Sequence, residues 1–595
     1  MKNLKILFQI FDKNEKKIFI ITIIFSFIST IFQFFGLSTV VPVVAILSDP
    51  DMIYNNTFVS RFYEFYKFES FESFRNFLLY ASIVGILSSA ALGLFNVYLI
   101  SKFSFNFAEK IEQKLFNFYL NCNYLFHVKL SLPKIISNIA NLIPRIKDQV
   151  LLSYMNLFVQ FFMVLIVSAT ILIVDFYFSI FAIMTVSAMY LFFFKYFKKK
   201  VKYNGELITY NQEHKLKQVY EAISNIKFVN FIKNKVYFKI KHSIFSDKLA
   251  KTLIGNHLIN VAPRHFMEVI LFLGVIVSLL VMSMSDLPFS TILAKLSLFA
   301  IAAIKILPAI NQIYSGVINI KSNEHALIEF KNEFQYIIKN NQKPKINNKE
   351  KINIQFNEFI EAKNINFKYD STDFSIKNVN LIIKKNEFIG FCGKTGSGKT
   401  TIVDIISGLY EPEAGTLVVD GKTIENNNID SFKSKIGYVP QDIYLGNNSI
   451  EKVITIGTDE KNIDKEFLKE CTQKADIYDF IVSLPDGFNT ICGDRGVRLS
   501  GGQKQRIGIA RALYKNPEII IFDESTNALD YFTENKIINT ILELKGKVTL
   551  IVITHRIETI KNCDNIFIVS DGSIVNSGKY DQLLKDSNFF KQINN

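Results

Sequence analysis

Gly393-Lys394-Thr395-Gly396-Ser397-Gly398-Lys399-Thr400 have the types and spacing of a phosphate cradle. The glycines let backbone N–H groups close around a β-phosphate, Lys399 neutralises β- and γ-oxygens, and Thr400, beside Thr401, offers a hydroxyl to Mg²⁺. The run Phe388–Cys392 before the loop reads as a strand and Thr401–Leu409 after it as a helix, the context this motif requires. Further along, Ile519-Ile520-Ile521-Phe522 suits a buried strand that delivers Asp523 to the metal, and Glu524 is placed to polarise an attacking water. His555 ends the apolar run Ile551-Val552-Ile553-Thr554 and can reach a γ-phosphate, while Gln441, after Tyr438-Val439-Pro440, can contact both Mg²⁺ and the other half of the chain. The expected chemistry is hydrolysis of ATP with Mg²⁺, with Lys399, Glu524 and His555 catalytic and Thr400, Gln441 and Asp523 around the metal.

The elements that hold these residues occupy less than half of 595 residues. Residues 1–330 are rich in Phe, Ile, Leu and Val with clustered Lys, and 351–595 alternate short apolar runs with Gly, Asp and Asn, as a soluble α/β domain does. Residues 331–350, with the polar run Lys339–Lys345, read as a linker. A net charge of +14 would suggest nucleic acid in a soluble protein, but here the excess lies in loops between apolar runs and reports topology. The five cysteines have no metal-ligand spacing and read as reduced, unpaired thiols.

Six apolar runs reach or nearly reach the roughly 20 residues needed to cross a ~30 Å hydrocarbon core: Ile18–Leu47, Phe77–Ile100, Val150–Val174, Phe178–Tyr196, Leu258–Met284 and Phe289–Ser315. The first is longer than a signal-peptide core and is expected to be a span. Lysines and arginines crowd the second and fourth connections, so those loops, both termini and the ATPase domain are expected in the cytoplasm. Helical rhythm in these loops implies that the spans continue into the cytoplasm and turn through short cross-helices near Asn121–Leu130 and Tyr220–Phe231. Outside, Phe58 to Phe74 form an aromatic segment that either lies in the membrane interface or anchors the first two spans as an aromatic belt.

Cations within spans bear on what is carried, because a charge in hydrocarbon is costly unless paired or solvated. Lys305 sits mid-way along the sixth run with Gln312 two turns on along the same face, and Arg264 lies in the first third of the fifth. Snorkelling to headgroups is the alternative for Arg264, and the favoured reading for Lys295. A wall bearing Arg264, Lys305 and Gln312 would favour an anionic group such as a pyrophosphate.

In order, these motifs and Leu499-Ser500-Gly501-Gly502-Gln503 resemble the ABC transporter superfamily, and the whole chain is similar to an exporter-type half-transporter. The resemblance implies a six-helix, all-α transmembrane domain followed by an α/β P-loop ATPase domain. It implies that Ser500, Gly501, Gly502 and Gln503 form the signature motif that binds the γ-phosphate held by a partner subunit, that Tyr369 stacks on adenine, and that Asn527–Asp530 form the D-loop. One half-site per chain implies a homodimer. Asn527 stands where Ser is usual and Asp494 where Glu is usual.

Within the superfamily the chain resembles bacterial lipid-linked oligosaccharide flippases of protein glycosylation, through the long first external loop, Val261-Ala262-Pro263-Arg264 and Ile306-Leu307-Pro308-Ala309. That likeness implies a polyprenyl-pyrophosphate glycan as cargo, moved from the inner to the outer leaflet of a bacterial cytoplasmic membrane. The alternatives are a multidrug, lipid A or other lipid exporter, and a regulatory ABC protein that uses ATP only for gating. Intact Glu524 and His555 argue against gating alone, the six spans against a soluble nucleic-acid ATPase, and the short stretch before the first run against a leader peptidase.

Overall fold

The computed structural model describes residues 2–40, 43, 46, 57–66, 68, 70–174, 176–232, 234–283, 289–341, 353–369, 373–523, 531–554 and 556–586. They divide into two units: Met1–Cys122 with Phe126–Lys343, and Asn123–Leu125 with Pro344–Asn595.

The first unit is helical. An amphipathic α1 (Lys2–Ile10) precedes six long helices, α2 (Lys13–Ser38), α3 (Phe71–Asn121), α4 (Leu152–Val174), α5 (Phe176–Ser224), α6 (Val236–Ser283) and α7 (Phe289–Ser322), and then α8 (Glu324–Asn341). The second, fourth and sixth apolar runs fall within α3, α5 and α7; the first continues past the end of α2 at Ser38, the third begins two residues before α4, and the fifth lies within α6 as far as Ser283. Among the described residues three helical stretches, Lys13–Gly36, Phe71–Asn121 and Leu132–Ile173, are long and apolar enough to cross a membrane. Small residues let α2 and α3 touch: a Cβ at Gly36 would lie 2.5 Å from the Gly85 carbonyl oxygen. Alongside, Ser26 donates to Asn96 at 2.8 Å, a polar pair buried between the two helices.

α3 begins in a capping box, Ser70 and Ser73 each accepting from the other's backbone N–H at 3.2 Å, and runs far beyond membrane thickness. Its distal half buries Phe103, Phe107, Ile111, Leu115 and Phe118 against α1 and α8. Short helices follow α3 and α5, Tyr124–Lys129 and Ile226–Phe231, and Thr57–Phe65 forms a helix before α3. The start of the linker is helical where the sequence suggested irregular chain: α8 extends to Asn341 because Ala326, Leu327, Phe330 and Phe334 recur at helical spacing and are buried in the same core as α1.

The second unit has two sheets. One is antiparallel, in the order β2-β1-β4-β5, from β1 (Phe359–Lys368), β2 (Ser375–Lys384), β4 (Ala414–Val419) and β5 (Lys422–Thr423). The other runs β10-β9-β3-β8-β7-β6, from β3 (Phe388–Cys392), β6 (Ile436–Val439), β7 (Ile519–Asp523), β8 (Thr549–Ile553), β9 (Asn565–Ser570) and β10 (Ser573–Gly578). Strands β9, β3, β8, β7 and β6 are mutually parallel, with β10 antiparallel at the edge. Continuous apolar runs suit strands covered on both faces, and Phe388 to Cys392 are all buried. Two helices of this unit carry motif residues, α9 (Lys399–Ile406), after β3, and α10 (Gly501–Leu513).

Candidate active site

Parallel pairing brings the functional segments together. Register places Gly390 opposite Val552, Asp523 opposite Ile553 and Val439 opposite Phe522, so the carboxyl ends of β3, β8, β7 and β6 form one edge. Ligands bind at that edge in open α/β sheets, where helix N-termini and loop amides converge.

The loop after β3 is shaped around a ligand. Gly396 and Gly398 have φ of +80° and +106°, a region other residues enter at a cost, and a Cβ on Gly396 would meet no atom within 4 Å. Lys399 is buried, and its ammonium donates to the carbonyl oxygens of Gly393 at 2.9 Å and Lys394 at 3.0 Å, which holds the cation over the loop. Ser397 is buried with no hydrogen-bond partner for its hydroxyl. The N-terminus of α9 has no side-chain cap, so its first amides face the loop. Lys394, Thr395 and Thr400 are exposed.

Asp523, at the end of β7, accepts from the Tyr438 hydroxyl at 3.0 Å. Burial, with the charges of Asp523 and Asp404, raises the Tyr438 phenol well above its ordinary range, so it stays a donor. Asp404, one turn into α9, is buried; burial and then the charge of Asp523 push its carboxyl up to about 7. The sequence reading missed Asp404 and the role of Tyr438. Neither is in a local motif: Asp404 lies on the buried face of α9, and Tyr438 is the one strand residue of β6 that points out of the core.

Tyr369, half-buried after β1, shares a hydrogen bond with Thr401 at 3.1 Å and stands edge-on to Phe367 and Tyr410, which fixes its ring. Ser500 caps α10 in a capping box: the Gln503 side chain accepts from Ser500 N–H at 2.8 Å and Ser500 Oγ from Gln503 N–H at 3.3 Å. That box sets the entry angle of Gly501, which is exposed, and Gly502, which is buried. Gln441 is exposed just after β6. Glu524, Asn527–Asp530 and His555 lie outside the described residues.

ATP and Mg²⁺ fit this edge. The orphaned Ser397 hydroxyl, the Gly396 space, the uncapped helix and the Lys399 cation suit phosphate oxygens, and two neighbouring carboxylates beside Thr400 suit a divalent cation.

In the helical unit, Lys305 is half-buried and, among the described residues, has no acidic partner. On the same face Gln312 accepts from Gln160 of α4 at 2.9 Å. Arg264 is paired one turn on: its Nε donates to Glu268 at 2.8 Å, and His265 Nδ1 lies 3.5 Å from the same carboxylate. The helical i,i+4 spacing was a signal for Glu268, and the sequence reading passed over it. Nothing is described of the Lys295 side chain.

Such an edge on an α/β sheet has the form of a P-loop ATP-binding domain, joined here to a unit of long apolar helices. The ABC transporter family profile matches residues 376–527. The chain is 35% identical over 312 residues to the heterocyst differentiation ATP-binding protein HepA of Nostoc sp., covering 52% of this chain and 50% of that protein. It is 43% identical over 230 residues to the leukotoxin translocation ATP-binding protein LktB of Mannheimia glucosida, covering 38% of this chain and 32% of that one. The chain thus spans half or less of these curated relatives. A solved bacterial Atm1-family ABC exporter with ATP bound has the same fold, with a TM-score of 0.72 at 20% identity over 95% of this chain and 96% of that one. The profile thus marks an ABC transporter segment within the second unit, and the chain as a whole shares the fold of that exporter.

Proposed function

We propose that the chain works as a homodimer in a bacterial cytoplasmic membrane, hydrolysing ATP to flip a lipid-linked oligosaccharide to the outer leaflet. The observation that carries the ATPase reading is the convergence of the Lys399 loop, Asp523 and the ends of β6 and β8 on one sheet edge. In this reading Lys399 and the α9 amides hold the β- and γ-phosphates, Tyr369 stacks on adenine, and Glu524 orients the water for in-line attack at the γ-phosphorus. The bond between the γ-phosphorus and the bridging oxygen breaks, and His555 contacts the departing phosphate. Thr400, Asp523 and Gln441 would hold Mg²⁺, which when bound would neutralise phosphate charge. Ser500 to Gln503 of one subunit complete the site of the other, so binding draws the two ATPase domains together and hydrolysis releases them.

Lys305 supports an anionic headgroup, since among the described residues it has no acidic partner and a cation within a span is costly unless a ligand or water compensates it. The Arg264–Glu268 pair favours a second reading, because it balances the charge within the apolar run Leu258–Met284 and suits a less anionic drug or lipid. Translocation of a tritiated polyprenyl-pyrophosphate oligosaccharide in proteoliposomes separates the two. ATP-dependent movement is expected in wild type, abolished by Glu524→Gln and reduced by Lys305→Ala. Normal turnover in Glu524→Gln would sink the ATPase assignment; no glycan movement, with hydrolysis stimulated by an unrelated amphiphile, would shift the cargo to a drug or lipid.

A further inference from the structure

Among the described residues, 132–151 are interrupted in a way no other helix is. The sequence folds as a short helix Leu132–Ser137, a π segment Asn138–Leu142, four α-helical residues Ile143–Ile146, a second π segment Lys147–Leu151, and then α4. Each π segment widens the helix, a feature that concentrates at functional positions. The piece between them carries Arg145.

Arg145 reaches two other helices. Its Nε donates to Asn323, and one terminal nitrogen donates to Thr209 at 2.9 Å and Gln212 at 3.5 Å, both on α5. Asn323 is buried at the turn where α7 stops and α8 begins. One turn before Thr209, Gly205 lets α5 touch that break, and a Cβ there would lie 1.8 Å from the Ser322 carbonyl oxygen. Lys134, on the same interrupted stretch, pairs with Glu329 of α8 and lies 3.4 Å from Glu213 of α5. The polar contacts therefore gather around one break.

The position of that break gives the cluster its meaning. Lys305 and Gln312 lie on α7 before it, and α8 leads after it toward the second unit at Pro344. A turn between two helices is a swivel unless side chains fix the angle. An apolar joint would be as stable, because a charge withdrawn from water contributes little net energy even when paired. Directional hydrogen bonds instead impose one register, and the flanking π segments give the Arg145 piece room to follow the break as it moves.

We propose that Arg145 is a positioning residue that acts through Asn323, locking α7 to α8 so that both turn as one lever when ATP is hydrolysed. The inference rests on the transport reading above. Without Arg145 the break swivels, and hydrolysis no longer moves α7.

The test uses the full chain in nanodiscs, with a spin label at Ser315→Cys on α7 to report the distance between the two subunits with and without Mg·ATP. In Arg145→Ala and Asn323→Ala the ATP-dependent distance change should be lost, while ATP hydrolysis stays within about twofold of wild type. In Asn323→Ala, which removes one charge-assisted bond, the equilibrium between the two α7 positions should shift by about tenfold, and in Arg145→Ala, which removes three, by more. Arg145→Lys, which cannot make the forked contact, should restore the change only in part. If Arg145→Ala does not fold, Thr209→Val keeps the volume, removes one bond and should reduce the change. A full distance change in Arg145→Ala, or in Thr209→Val where that variant stands in, overturns this proposal alone. A wild type that hydrolyses ATP without moving α7 overturns the transport reading and this proposal together.

Discussion

Asp523, the carboxylate proposed for the metal, is held by a phenol. Desolvation and the charges of Asp523 and Asp404 keep the Tyr438 phenol protonated, and its hydroxyl donates to one oxygen of Asp523 at 3.0 Å. Groups that orient metal ligands in this way typically change affinity by about 10–100-fold when removed. Tyr438→Phe should therefore raise the Mg²⁺ concentration that half-saturates ATP hydrolysis by about tenfold and leave the maximal rate at saturating Mg²⁺ little changed. Titration of ATPase activity with Mg²⁺ reads this directly, and an unchanged midpoint would show that the hydroxyl plays no part in the site. The P-loop residues and Asp523 were legible from local spacing, whereas Tyr438 and Asp404 join the site only through the packing of β6, β7 and α9.

Among the elements, the start of β1 hangs on one side chain. Asp420, in the turn between β4 and β5, accepts backbone N–H groups of Asn357, Glu358 at 3.0 Å and Phe359 at 2.8 Å. Partial burial raises its carboxyl, but the three amide donors outweigh that and leave its pKa below the ordinary value. A carboxyl depressed in the folded state adds stability above its unfolded pKa, and that stability is lost as pH falls through the folded value. Asp420→Ala should cost about 1–3 kcal/mol near neutral pH. Urea unfolding followed by a probe near β1 should show the two proteins converge as pH falls below the ordinary carboxylate range, where the wild-type carboxylate takes up its proton; a constant gap down to the acid end would assign the effect to packing. Similarly, Ser500→Ala removes half of the capping box and should weaken the start of α10 by about 1 kcal/mol. Hydrogen exchange at Gly502 and Gln503 should rise, and unchanged protection there would mean that the helix start is held by other contacts.

At the scale of the whole molecule, the long helices and the parallel sheet are separate units with separate cores. Each ATP site of the proposed assembly draws Ser500 from a second copy, so trapping ATP should trap the assembly. Glu524→Gln with Mg·ATP should sediment in detergent as a closed dimer with its ATPase domains joined, whereas nucleotide-free protein should show them apart by cross-linking at α10. A Glu524→Gln chain whose ATPase domains stay apart with ATP bound would exclude this arrangement.

The sequence by itself determined what can be written in consecutive residues. The phosphate loop, the strand ending in Asp523, the capping box at Ser500 and the apolar runs of α2 to α7 all follow from neighbours along one chain, because helix and strand periods act over short distances. Even the Arg264–Glu268 pair was open to sequence reasoning at helical spacing, and the linker's helical start was written in Ala326, Leu327, Phe330 and Phe334. Tertiary structure alone decided the rest. Asp404 meets Asp523 across more than a hundred residues, Tyr438 reaches the same carboxylate from a neighbouring strand, and Arg145 joins Asn323 at a separation of 178 residues. Such pairs are set by how helices and strands pack, and no local period encodes them.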